Sequence, residues 1–231
     1  VEVWLTDAPG DYQEVNVEIV GVEVHLGDGE SASGWRTLNV DGGVYNLLEL
    51  TNGLDTLLGE VELPGGRLSQ LRLILGDDNT VKVNDDVHAL TTPSAQQSGL
   101  KLQINRVLQE GITYKVLLDF DVARSIVLTG NGKYILKPVI RTITEAQDGA
   151  IKGLVIPKES TPAIYAIIGT DTLATTFSDS TGGFMLRGLE AGSYSVSVSP
   201  NSEYVGVVKS DVSVSLGEVT DLGAIELAEV E

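Results

Sequence analysis

Val15-Asn16-Val17-Glu18-Ile19-Val20-Gly21-Val22-Glu23-Val24 decides the fold class. Apolar and polar side chains alternate at period two, as a β-strand requires, because successive Cβ atoms point to opposite faces. Val15, Val17 and Ile19 hold one parity, and Val20, Val22 and Val24 hold the other. A strand that changes face midway needs either a β-bulge near residues 19–21 or a core on both sides. The alternation recurs in Leu71-Leu73-Leu75, Leu100-Leu102-Ile104, Tyr114-Val116-Leu118-Phe120, Leu173-Thr175-Phe177, Tyr194-Val196-Val198 and Val212-Val214-Leu216. Turn formers separate these runs: Asp28-Gly29, Asp41-Gly42-Gly43, Pro64-Gly65-Gly66, Gly76-Asp77-Asp78-Asn79, Gly130-Asn131-Gly132 and Gly182-Gly183.

Helical spacing is scarce. Leu47 to Leu58 and Asp121 to Ile126 could each hold a turn or two, with Gly53 and Gly59 bounding the first. Short β segments with 26 glycines therefore predict an all-β protein of sandwiches or barrels. The polar, small segment from Glu145 to Ala150 reads as a boundary, which divides the chain into a domain of residues 1–146 and a second of residues 150–231.

Composition narrows the function. With 15 basic and 33 acidic residues among 231, the formal charge is −18, and its field repels a phosphate backbone, so no nucleic-acid partner is expected. Having no cysteine excludes thiol catalysis, iron–sulfur clusters and cysteine-type zinc sites. No apolar run reaches the roughly 18–20 residues of a membrane span. The chain starts at Val1 without a leader, the expectation being a mature or trimmed chain whose signal or lipid anchor has been removed.

Gly153-Leu154-Val155, followed by Ser178-Asp179-Ser180-Thr181-Gly182-Gly183-Phe184-Met185-Leu186-Arg187-Gly188-Leu189-Glu190-Ala191-Gly192-Ser193-Tyr194-Ser195-Val196, resembles the carboxypeptidase regulatory-like family over about residues 149–227. The resemblance implies a seven-stranded, transthyretin-like (prealbumin-like) sandwich that stabilises or spaces and does not catalyse. Each element also has a physical reading. Asp179 with Gly182-Gly183 forms a turn with unusual backbone angles, Phe184 plugs the sandwich, Leu189 and Gly192 shape a hairpin, and Tyr194 begins a core strand.

The first part carries Leu5-Thr6-Asp7-Ala8-Pro9, Val15 to Val24, Trp35, Leu47-Leu48-Glu49-Leu50-Thr51-Asn52-Gly53, Leu118-Asp119-Phe120-Asp121-Val122-Ala123-Arg124-Ser125-Ile126-Val127 and Gly132-Lys133-Tyr134-Ile135-Leu136-Lys137-Pro138-Val139-Ile140-Arg141. These residues resemble an uncharacterised bacterial family, domain of unknown function 4382. Its members resemble exported lipoproteins of Bacteroidetes-type bacteria, which implies the outer membrane, cell surface or periplasm of a Gram-negative cell.

Catalytic signatures are missing. There is no Gly-x-Ser-x-Gly elbow, P-loop or Gly-x-Gly-x-x-Gly fingerprint, and Gly130-Asn131-Gly132-Lys133 reads as a hairpin turn. His25 and His88 stand far apart, each a strand or surface residue rather than a ligand or base. A carboxylate pair for glycoside hydrolysis is the weakest alternative, since 3 Phe, 2 Trp and 7 Tyr must also supply two cores.

Calcium takes oxygen ligands from loops, and three clusters supply them: Asp77-Asp78-Asn79, Asn84-Asp85-Asp86, and Asp119 with Asp121, joined by Asp7 or Asp11. The first two read rather as solvated turns. Asp119 and Asp121 flank Phe120 and share the face opposite it. They either bind something or are hydrogen-bonded by nearby backbone and by Arg124 or Arg141. Trp4 is expected in the core. Trp35, after the loop from Gly27 to Gly34, and Tyr45 are the candidate ligand-binding residues, because an exposed aromatic ring can stack on a sugar or anchor a protein; the alternative is that Trp35 caps the core. The expected function is binding or spacing, in adhesion or assembly with a surface protein or polysaccharide partner. The alternative is a carbohydrate-binding accessory protein of a glycan-uptake system.

Overall fold

The computed structural model describes residues 1–8, 11–27, 34–51, 54–92 and 99–230. Pro9, the Asp28-Gly29 turn, most of the loop before Trp35, and Asn52-Gly53 lie outside the described residues. The chain forms two compact units, one of Val1–Leu108 and Lys115–Thr144, the other of Gln109–Tyr114 and Glu145–Glu231. Residues 109–114 thus group with the second unit, whereas a single cut in the sequence keeps them in the first.

The first unit is built on β1 (Glu2–Ala8), β2 (Glu14–Leu26), β3 (Trp35–Thr37), β4 (Asn39–Val40), β5 (Gly43–Asn46), β6 (Thr56–Glu60), β7 (Gly66–Leu75), β8 (Thr80–Val83), β9 (Asp86–Thr91), β10 (Leu100–Leu108), β11 (Tyr114–Asp121), the one-turn helix α1 (Val122–Ser125), β12 (Ile126–Leu128), β13 (Tyr134–Leu136) and β14 (Ile140–Ala146). A five-stranded sheet runs β14-β11-β1-β6-β4, and a nine-stranded sheet runs β10-β7-β2-β8-β9-β13-β12 with β3 and β5 also paired to β2. Both sheets feed the core, which holds Val3, Leu5, Val116, Leu118 and Phe120 from the first and Val15, Val17, Val22, Val24, Leu71 and Leu73 from the second.

The parity switch in β2 is a bulge. Ile19 pairs with Leu75 and Gly21 with Ile74, so Val20 is the extra residue and stays exposed while Val17 and Val22 are buried on either side of it. Within Leu47 to Leu58, Leu47–Leu50 makes one turn of 3-10 helix, and Leu57 and Leu58 belong to β6, where Leu58 is buried and Leu57 exposed.

The second unit contains β15 (Gly149–Ile156), β16 (Ala163–Ile168), β17 (Asp171–Phe177), β18 (Gly183–Leu189), β19 (Gly192–Ser199), β20 (Val207–Val214) and β21 (Val219–Glu226). Three strands run β18-β15-β21 and four run β17-β16-β19-β20. Ile151, Val155, Ile164, Phe184, Leu186, Tyr194, Val196, Val212 and Ile225 fill the space between the two sheets. Gly153 pairs with Phe184, and a Cβ there would lie 2.8 Å from the ring, so the glycine is what admits the phenyl group. Gly182 takes φ +89° beside the carbonyl of Val155, a left-handed conformation suited to glycine.

Candidate functional site

Strand β11 alternates buried and half-buried residues along its whole length, so Asp119 and Asp121 leave the core side to Leu118 and Phe120 and share the outer face. There Arg141 donates to Asp119 Oδ2 from Nη2 at 2.5 Å and from Nε at 3.1 Å. Asp121 caps α1, accepting from the backbone N–H of Arg124 at 3.0 Å, with the Arg124 guanidinium 3.9 Å from its other oxygen. Ser125 Oγ donates to the carbonyl of Asp121 and accepts from Val139 N–H at 2.9 Å, fixing the approach to β14. Asp119, Asp121, Arg124, Val139, Ile140 and Arg141 line a cleft of about 350 Å³. Both guanidinium groups remain open to water, with side-chain exposures of 74% for Arg124 and 72% for Arg141.

Asp7 does not join this pair. In the parallel register of β1 with β11, Asp7 lies opposite Phe120 and Thr6 opposite Asp119, so the Asp7 side chain stands on the core side. It is 5% exposed and accepts from the N–H of Val122, supporting the start of α1 from within. Among the described residues no group of three or more His, Cys, Asp or Glu side chains could hold a metal ion. Asp119 is held by the Arg141 guanidinium and Asp121 by the Arg124 N–H, as the hydrogen-bonded reading of the pair expects.

The other acidic clusters are built into turns. Asp77 and Asp78 are exposed, while Asn79 is buried, accepting from Glu18 N–H at 2.9 Å and donating to Gly76 O at 2.7 Å. Asn84 and Asp85 both have positive φ between β8 and β9, the backbone of a tight type I′ hairpin.

Trp35 and Tyr45 sit on the strands flanking one side of β2, opposite His25 and Val17 respectively. Eight residues along β2 separate those registers, roughly 25 Å, so the two rings do not make one stacking platform. The Arg72 guanidinium lies 4.0 Å from the Trp35 ring centroid, and Glu23 fixes that guanidinium at 2.7 Å. His25 meets the Trp35 ring edge-on at 5.0 Å. The Tyr45 hydroxyl donates to Asp41 O at 2.9 Å, and burial raises its pKa with help from the Asp41 charge.

Trp4 is not in the core. It is half-buried on the outer side of β1, its indole N–H on Glu2 and the Lys115 ammonium 4.4 Å from its ring centroid. His25 is wholly buried, with Nδ1 2.8 Å from Ser69 Oγ and Gly34 packed against the ring. This His–Ser pair is closed to solvent. His88 packs against Tyr134 with ring centroids 4.9 Å apart. Sequence reasoning passed over Arg72, whose only signal was a cation set between Leu71 and Leu73 in β7.

Residues 1–138 match the family model described as Domain of unknown function (DUF4382). No curated protein matches the chain. Among solved structures, an N-terminal interface mutant of the type II cohesin–X-dockerin complex from Acetivibrio cellulolyticus is 19% identical with a TM-score of 0.28, over 35% of this chain and 57% of that one. The Bacillus anthracis TIE protein is 14% identical with a TM-score of 0.29, over 95% of this chain and 35% of that one. GBS52, the minor pilin of Streptococcus agalactiae, is 9% identical with a TM-score of 0.30, over 100% and 96%. This chain thus spans just over half of the cohesin–dockerin chain it matches. With the family model covering well over half of its length, the chain belongs to the DUF4382 family.

Proposed function

We propose that the protein is a non-catalytic, exported surface protein of a Gram-negative bacterium that acts in adhesion or assembly, its first unit binding a protein partner and its second serving as spacer. The carrying observation is the outer face of the five-stranded sheet, where Asp119 and Asp121 hold Arg141 and Arg124 beside a shallow cleft. The Arg141 guanidinium, already held twice by Asp119, loses little further side-chain freedom when a partner docks, and the exposed Arg124 adds a second cation beside it. Enclosure of His25 with Ser69 supports a binding role over a catalytic one. No helix among the described residues is long and apolar enough to cross a membrane. A lipid tether rests on the likeness of the first part to exported lipoproteins.

The second unit supports its carboxypeptidase regulatory-like reading through particular residues. Asp179 gathers the Thr181 and Gly183 N–H groups, Phe184 fills the place opposite Gly153, and Tyr194 is buried at the head of β19.

Binding of the labelled chain to intact cells and to purified surface polysaccharides tests the reading. Saturable binding to cells is expected, lost when the cells are shaved with protease, weakened in the Arg124→Ala, Arg141→Ala double variant and retained in Trp35→Ala. Binding that survives shaving and follows a polysaccharide would transfer the function to glycan recognition. Absence of binding to either would remove the proposal.

A further inference from the structure

The cleft beside Asp119 and Asp121 presents an approaching group mainly with positive charge. The two carboxylates lie beneath, with side-chain exposures of 16% and 29%, while the guanidinium groups of Arg141 and Arg124 are open to water at 72% and 74%. A guanidinium carries five N–H donors. Arg141 spends two of them on Asp119 Oδ2 and keeps the rest. The Arg124 guanidinium spends none on Asp121, since 3.9 Å exceeds the length of a hydrogen bond. Lys137 adds a third cation. It is exposed, donates its N–H to Ser125 O at 2.7 Å, next along the chain from Arg124, and pairs with no carboxylate among the described residues.

The sequence around the cleft has the same bias. Residues 122–144 hold Arg124, Lys133, Lys137 and Arg141, all exposed, and no Asp or Glu. The whole chain carries 33 acids in 231 residues, one in seven, so a stretch of this length would ordinarily hold about three. With a screening length of about 8 Å at physiological ionic strength, a group seated in the cleft feels these cations ahead of the remote acids behind the net charge of −18.

The rest of the lining selects among anions. Val139 and Ile140 supply aliphatic surface, and none of the lining residues is aromatic. A sugar ring stacks on aromatic faces, whereas the methylene stem of an acidic side chain suits aliphatic walls. A planar carboxylate also matches the guanidinium fork.

We infer that this cleft takes a carboxylate-bearing segment of the protein partner, an acidic side chain held by Arg124 and Arg141 with its stem or an apolar neighbour against Val139 and Ile140. The inference rests on the docking role proposed above and names the chemistry of what docks. A carboxylate there receives charge-assisted hydrogen bonds from donors that the fold leaves unspent.

Fluorescence anisotropy of a labelled, capped peptide alternating Glu and Leu, titrated with the full chain, tests this against the same peptide with Gln for Glu. The overall charge of the chain works against the Glu peptide, so a preference for it arises only from a local site. Saturable binding of the Glu peptide is expected, with the Gln peptide about tenfold weaker because its hydrogen bonds are not charge-assisted. Arg124→Gln should weaken the Glu peptide about threefold, the size of one exposed ion pair, near the wild-type thermal midpoint. Arg187→Gln, which changes the net charge equally but lies in the second unit, should bind like the wild type. Equal affinity for the two peptides, or equal losses in the two arginine variants, would overturn the inference. Saturable, protease-sensitive binding to cells that an excess of the Glu peptide does not reduce would also overturn it and leave the docking role standing. Peptide binding by a chain that binds no cells would remove the docking role and keep the acid preference of the cleft.

Discussion

The Tyr194 hydroxyl donates to the carbonyl of Glu190 at 3.0 Å, tying the start of β19 to the turn that precedes it while its ring lies buried in the core. A tyrosine bonded to backbone a few residues upstream is a corner device of β-sandwiches. Tyr194→Phe keeps the ring and removes the donor, leaving the Glu190 carbonyl without it. The expected cost is about 1 kcal/mol, the net worth of one such bond, read as a lower urea midpoint at unchanged slope.

Alkaline pH acts on the same group. Burial raises the pKa of Tyr194, and likewise of Tyr12 and Tyr45, above 10.0. The folded chain therefore keeps these protons at pH values where the unfolded chain has released them. Their stabilising contribution is complete below pH 10, and is lost as pH rises through the folded values. Urea midpoints should be flat from pH 8 to about 10 and fall beyond it, less steeply in Tyr194→Phe.

Acid acts on Asp179 with the opposite sign. Its Oδ1 accepts from the hydroxyl and N–H of Thr181 and from Gly183 N–H, and these bonds hold its pKa below the ordinary 3.8. The contribution is present above pH 3.8 and disappears as pH falls through the lower folded value. Between pH 5 and 2, Asp179→Asn should lose stability less steeply than the wild type. Identical slopes would mean that the carboxylate's charge plays no part in the loop.

The sequence was most legible where contacts are local. Parity within one strand revealed the β2 bulge and put Asp119 and Asp121 on one face, within reach of Arg141. It failed where a distant strand decides. Asp7 lies in the core because β1 pairs in parallel with β11 more than 100 residues away, and Trp4 faces outward for the same reason. Leu47 to Leu58 mixed a 3-10 turn with β6, whose leucines meet β1 in a register that no helical spacing encodes. Alternation also showed that Leu173, Thr175 and Phe177 share a face, but the core side of β17 belongs to Ala174.

Calcium should leave the first unit unchanged. Asp119 is engaged by Arg141, and Asp121 by Arg124 N–H, so a cation would have to displace donors already in place. Thermal midpoints in excess calcium and in EDTA are expected to coincide. Arg141→Ala removes the cation from Asp119 and should lower the stability by about 1 kcal/mol or less, as for an ion pair with one exposed partner. A calcium-dependent rise in the wild type would restore Asp119 and Asp121 as metal ligands.

Arg72 decides what Trp35 can do. Its guanidinium covers one face of the indole at 4.0 Å and is anchored by Glu23, so that face is closed to a sugar. Arg72→Ala uncovers the ring and leaves Glu23 without its partner. The loss should be roughly 1–2 kcal/mol, combining a partly buried cation–π contact with an ion pair. Trp4 keeps its Lys115 neighbour in this variant, so any change in fluorescence reports Trp35. Greater acrylamide quenching and a red-shifted emission are expected. If uncovering the ring also creates binding to a polysaccharide that the wild type ignores, the arginine is what separates Trp35 from glycan recognition. Unchanged quenching would mean that the indole is shielded by something other than Arg72.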